Sequence, residues 1–166
     1  MKFKEYYNTK LISEGIDLNF IKDNIQNAVK DNPSRLGHGD TGKTGFWILP
    51  DGRILPYTKG YKEAYKIKNV ISVHSHSSAT RRDITEPFPT FSGGDIPMLQ
   101  HMIQHGYGDT IVVISRDGYM DILQGGNWKK EDSKFDANKP EQNDRDTLKD
   151  LAKKRGAKYI QKKKWK

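Results

Sequence analysis

Apolar positions along the chain change period several times, and each change predicts an element. In "DLNFIKDNIQNAVKD", Leu18, Ile21, Ile25, Ala28 and Val29 recur at spacings of three and four. Those spacings line one face of a helix, so a helix is expected over 17–31, stopped by Asn32-Pro33. "SRLGHGDTGKTG" is a glycine-rich loop, and "FWILPDGRILPY" reads as two strands joined by a Pro-Asp-Gly turn. "NVISVHSH" is a short, nearly continuous apolar run, the pattern of a central strand buried on both faces. His74 and His76 fall at or just past its end. The loop "SSATRRDITEPFPTF", punctuated by Pro87 and Pro89, is long for a connection in a compact domain. A helix follows over about 95–105, with Ile96, Leu99, Met102 and Ile103 on one face and Gly106 as its stop. Pro97 has no N–H to contribute and belongs in that helix's first turn.

Beyond it, "DTIVVISRDGYMDILQGG" predicts a second hairpin turning at Arg116-Asp117-Gly118. "NWKKEDSKFDANKPEQN" is polar and reads as irregular, and "RDTLKDLAKKR" as a weak helix with little to bury beyond Leu148 and Leu151. The order helix, hairpin, strand, loop, helix, hairpin, helix predicts an α/β fold, a mixed sheet carrying helices on its faces.

Charge divides the chain. Residues 153–166, "KKRGAKYIQKKKWK", hold eight Lys/Arg and no acid, and the whole chain has 29 basic and 21 acidic residues. Without that segment the remaining 21 basic residues balance the acids. The expectation is one neutral domain over 1–152, its core about 17–125, followed by a basic tail at 153–166. The tail reads either as a frayed, solvated terminus or as a binder of nucleic acid or another acidic partner. Tyr159 and Trp165 would be placed to stack on bases in the second case. The chain has no cysteine, so disulfides and thiolate zinc sites are excluded, and a metal would need His, Asp or Glu. No apolar run has the length of a signal peptide or membrane span. A cytoplasmic protein without a membrane partner is expected, with export by a route lacking a signal peptide left open.

The candidate chemistry lies in "VHSHSSATRRDITEPFPTFSGGD". In an extended segment His74 and His76 point to the same side. Asp95, in the first turn of the next helix, would supply a carboxylate if that helix start packs beside the strand end. Two histidines, one carboxylate and a water form a catalytic rather than a structural zinc arrangement. Ser92, one helical turn before Asp95, would donate to a developing oxyanion. The same residues also fit a plain helix start, with Ser92 as N-cap and an acid three residues on.

His-x-His followed by Ser-x-x-Asp resembles the JAMM motif of the JAB/MPN metalloproteases. The resemblance runs from about Phe46 to Leu123. It implies the mixed-sheet architecture shared with cytidine deaminases, and one Zn2+ on His74, His76 and Asp95. Ser92 would then support the tetrahedral intermediate. The implied activity is hydrolysis of peptide or isopeptide bonds, with a protein or peptide as substrate. "FSGGDI" after an extended loop looks most like the JAB-like domains of bacterial polymorphic toxins and phage proteins. Three features depart from the family. Ser77 stands where proline usually follows the second histidine, and residues 77–91 carry an insertion. The family's glutamate base would fall near Thr44, leaving Asp40 and Glu86 as the acids able to take its role. Loss of that base, with an exposed-looking insertion carrying Phe88 and Phe91, fits a non-catalytic JAB-like binding module instead; the plainer reading of those aromatics is that they fold back onto the core.

Other histidines have simpler readings. His101 and His105 are four apart on a helix, a metal-ligand spacing, but a solvated polar face is the expectation. His38, near Asp40, reads as a loop histidine or an outside candidate for proton transfer. Gly37 and Gly42-Lys43-Thr44 complete a phosphate-loop pattern, but a strand rather than a helix is predicted to follow.

Overall fold

The computed structural model describes residues 16–36, 45–57, 66–75, 90–91, 94–134 and 144–166. Helix α1 (Leu18–Asp31) starts at Asp17, whose carboxylate accepts from Phe20 N–H at 3.0 Å, satisfying one of the donors that a helix start leaves unpaired. A short 3-10 turn at Pro33–Leu36 follows it. Strands β1 (Gly45–Ile48) and β2 (Ile54–Pro56) form the first hairpin, and β3 (Ile71–Ser75) pairs antiparallel with β1 on its other side. Helix α2 (Asp95–His105) carries the chain to β4 (Thr110–Ile114), which lies parallel to β3. Its end is set by Gly106, whose φ of 71° is a left-handed conformation that L side chains resist. β5 (Tyr119–Gln124) completes the second hairpin, turned at Gly118 with φ 91°. Helix α3 (Asp144–Lys154) and strand β6 (Lys158–Lys164) close the chain.

The sheet has six strands in the order β2-β1-β3-β4-β5-β6, so β3 and β4 are central. The fold is α/β, with a mixed sheet, as the alternation of periods predicts. Side chains alternate between its two faces. Phe46, Ile48, Ile71, Val73, Val112, Ile114, Met120 and Ile122 form one core with Ile21, Ile25 and Ala28 of α1. Trp47, Ile111, Val113 and Leu123 form the other core, with Ile96, Leu99 and Met102 of α2 and Leu148 and Ala152 of α3. β3 and β4 are buried at every position; β4 runs apolar accordingly, whereas β3 alternates and turns Ser72 and His74, both buried, to one face.

The C-terminal segment departs from the frayed terminus expected of it. β6 pairs antiparallel with β5, with Tyr159 opposite Leu123 and Ile160 opposite Ile122. Trp165 is 3% exposed, and its indole N–H donates to the Ser115 carbonyl at 3.2 Å. Charge dominates the composition of 153–166, but Tyr159, Ile160 and Trp165 turn inward while the lysines keep their ammonium groups in water. The boundary at 152 falls inside α3. The stretch read as irregular after β5 also has order. Trp128 is buried, and a 3-10 turn at Lys130–Lys134 is tied to the end of α3 by Arg155 and Asp132.

Candidate metal centre

His74 is the fourth residue of β3, between β1 and β4, and is 2% exposed. It shares a face with Ser72, two residues earlier, whose hydroxyl contacts Met98 Sδ of α2 at 3.8 Å. α2 therefore lies over this face, and its apolar side (Ile96, Leu99, Met102) anchors it there. Asp95, the first residue of α2, is 2% exposed. Its carboxylate Oδ1 lies 3.0 Å from His74 Nε2. A helix start favours a negative group by about 0.3–1 kcal/mol, so the position suits a carboxylate.

His74 and Asp95 are two donors of types that zinc takes. Zinc takes imidazole nitrogen at about 2.0–2.1 Å and carboxylate oxygen at about 2.0–2.2 Å, and tetrahedral angles then put two such donors roughly 3.3–3.5 Å apart. The observed 3.0 Å is within a few tenths of an ångström of that separation. It is also the length of a direct hydrogen bond, so the pair is held together with or without an ion. Among the described residues, no group of three or more His, Asp or Glu side chains gathers to hold a metal. His76, the expected third ligand, lies outside the described residues, as do Ser92, Asp40, Glu86, His38 and Phe88. The cap of α2 is Gly94, which offers no side-chain hydrogen bond. Phe91 is fully buried in the core, so it is no exposed contact residue.

The wall beside His74 is made by residues that sequence reading did not single out. Gly45 of β1 is the cross-strand partner of His74. A Cβ on Gly45 would stand 2.1 Å from Cε2 of Tyr57, so the missing side chain is the space that the Tyr57 ring occupies. The Tyr57 ring packs against Trp47 at a centroid distance of 5.0 Å, and its hydroxyl hydrogen-bonds the Ser72 hydroxyl. No carboxylate stands on β1: Gly45, Phe46, Trp47 and Ile48 are its four residues.

Across the sheet from His74 the row continues through Val113 to Asp121. Asp121 is fully buried and fully engaged. It accepts from Arg145 Nε at 3.1 Å, from the Tyr159 hydroxyl at 2.8 Å and from the backbone N–H of Lys162 at 2.9 Å. Burial pushes the Tyr159 phenol far above its usual range, and the nearby Asp121 charge pushes it further, so it remains a donor. One signal for Asp121 was present in the sequence. "YMDILQ" is apolar on both sides of the aspartate, and a carboxylate in such a strand must be buried and paired.

The histidines of α2 face each other at its last turn, with ring centroids 4.2 Å apart; His105 is exposed and His101 half-buried. The element after Thr44 is β1, not the helix that a phosphate loop requires. Among the described residues, no helix is long and apolar enough to cross a membrane. No family model, curated protein or solved structure matches the chain.

Proposed function

We propose that the chain is a zinc-dependent hydrolase of the JAMM type, acting on peptide or isopeptide bonds. The observation that carries this reading is the buried pair of His74 Nε2 and Asp95 Oδ1, 3.0 Å apart where a central strand ends and the next helix begins. Residues of the two types that the motif requires meet there across the long connection that separates them. His74, Asp95 and His76 would hold the ion. Bound zinc supplies Lewis-acid chemistry, polarising a carbonyl and acidifying water. The chain's own part is to bury the centre between the sheet and α2, which keeps bulk water out and strengthens every charge–dipole contact inside. Ser92 would donate a hydrogen bond to the oxyanion that develops on the scissile carbonyl. Asp40 or Glu86 would carry the proton from the attacking water to the leaving amine, a transfer worth roughly 10²–10⁴-fold in rate.

A second reading has its own observation. β1 carries no acid beside His74, and the Tyr57 ring takes the space above Gly45. That favours a non-catalytic module that keeps the scaffold and binds an acidic partner, nucleic acid included. Its surface would be β6, where Lys158, Lys162, Lys163 and Lys164 are exposed. Binding there would be through charge alone. Tyr159 is held by Asp121 and Thr90, and Trp165 is buried, so neither ring is available to stack on a base.

The two readings part on turnover. Zinc-loaded protein is incubated with a panel of peptides and ubiquitin-like conjugates, and products are identified by mass. The hydrolase reading expects amide cleavage that Asp40→Asn or Glu86→Gln reduces by about 10²-fold or more while zinc stays bound. Cleavage unchanged in both variants and in their double would remove these acids from the mechanism. Intact zinc with no cleavage of any amide would leave the binding module.

A further inference from the structure

The network around Asp121 does more than bury a carboxylate, because its Tyr159 hydroxyl also holds Thr90, five residues before Asp95. A carboxylate accepts, so the Tyr159 hydroxyl must spend its one proton on Asp121 Oδ2. The same hydroxyl is hydrogen-bonded to Thr90 Oγ1, and with its proton already placed it can only accept there. The direction of the chain is therefore fixed: Thr90 donates to Tyr159, and Tyr159 donates to Asp121. Arg145 Nε and the Lys162 N–H hold Asp121 from α3 and β6. Thr90 is 2% exposed, and Phe91 beside it is fully buried with its ring edge-on to Tyr159 at 6.1 Å. These two residues lie immediately before Ser92-Gly93-Gly94-Asp95 in the sequence. Among the described residues they are the last before Gly94, the cap of the helix that presents Asp95.

We infer that the Tyr159 hydroxyl is a positioning group for the metal centre: by holding Thr90 it sets the segment that delivers Asp95 to His74. The inference rests on the reading of His74 and Asp95 as ligands. It gives the C-terminal strand a part in the site, although β6 contributes no ligand. Partners hydrogen-bonded directly to a metal's ligands typically change its affinity by about 10–100-fold when removed, which bounds the effect of this more remote contact.

Thr90→Val keeps the shape of the side chain and removes its hydroxyl, leaving the Asp121 donors in place. Thr90→Ser keeps the hydroxyl and serves as the rescue. Tyr159→Phe removes the other end of the same bond. Zinc affinity is measured by competition with a chromophoric chelator. Amide exchange of peptides spanning 90–99 is measured on metal-free protein, beside the thermal midpoint. Thr90→Val should weaken zinc about tenfold or more and raise exchange over 94–99, with Thr90→Ser close to wild type. Adding Thr90→Val to Tyr159→Phe should cost no further affinity, because both sever one link. Wild-type affinity and exchange in Thr90→Val would overturn the inference, as would additive losses in the double variant. If wild-type protein takes up no zinc, the ligand reading falls by itself. Exchange then decides the link: raised exchange in Thr90→Val retains it, and unchanged exchange removes it.

Discussion

Three aspartates are buried among the described residues, and each is held in a different way. Asp95 meets an imidazole at a helix start. Asp121 is shared by a guanidinium, a phenol and a backbone N–H. Asp132 takes both prongs of Arg155, at 2.7 and 2.8 Å. The last joins the turn after β5 to the end of α3. The Arg155 hydrogen bond, outweighing burial, holds the Asp132 carboxyl below its ordinary range. An aspartate with a depressed native pKa binds fewer protons folded than unfolded. Its stabilisation is therefore complete above the unfolded value of about 3.9 and drains away as pH falls below it through the native pKa. Asp132→Asn should be less stable than wild type at neutral pH and lose less on acidification. Thermal midpoints of both proteins from pH 7 to pH 2 should converge at the acid end; parallel curves would contradict this account. The meeting of His74 and Asp95 was legible because a strand end and the following helix start were both marked by local pattern. Tyr57 and Gly45 were not, because their meeting depends on the β1–β2 hairpin folding a ring back over a glycine.

At the scale of elements, period was a good guide where burial is two-sided or helical and a poor one at the sheet edge. α1, β3, α2 and the β4–β5 hairpin stand where the apolar spacing put them. β6 was hidden, because an edge strand has one side in water and here fills it with lysine, a common guard against edge-to-edge pairing. The inward residues are too few for a clear alternation, and a register shift between Met120 and Ile122 breaks it further. Two variants separate an integral strand from a tail. Trp165→Ala should cost about 3–5 kcal/mol in a urea titration, as for other buried aromatic truncations. Replacing Lys162, Lys163 and Lys164 together by Ala should stay within about 1 kcal/mol of wild type. A Trp165→Ala protein as stable as wild type would contradict the packing described. The lysine variant is also the proper probe of acidic partners. Deleting 153–166 would remove Tyr159 and Trp165 with the charge, and lost binding would then report a broken fold.

The whole molecule explains why one half of the candidate site was readable and the other was not. The α/β class and its mixed sheet follow from the order of elements. Which face each strand turns to which helix follows from register, and register is settled by long-range pairing. The row Gly45, His74, Val113, Asp121 joins four strands, and the Thr90–Tyr159 contact spans 69 positions of sequence. No local pattern encodes such meetings. They place the His74–Asp95 pair between a tyrosine wall on one side and the Asp121 network on the other, on the face covered by α2 and α3. The claim on which the functional account depends is that this pair holds a metal. Elemental analysis of untagged protein, beside a His74→Ala/His76→Ala variant confirmed as folded, tests it directly. The account predicts about one zinc per chain in the wild type and none in the variant. No metal in the wild type, or equal metal in both proteins, would contradict it.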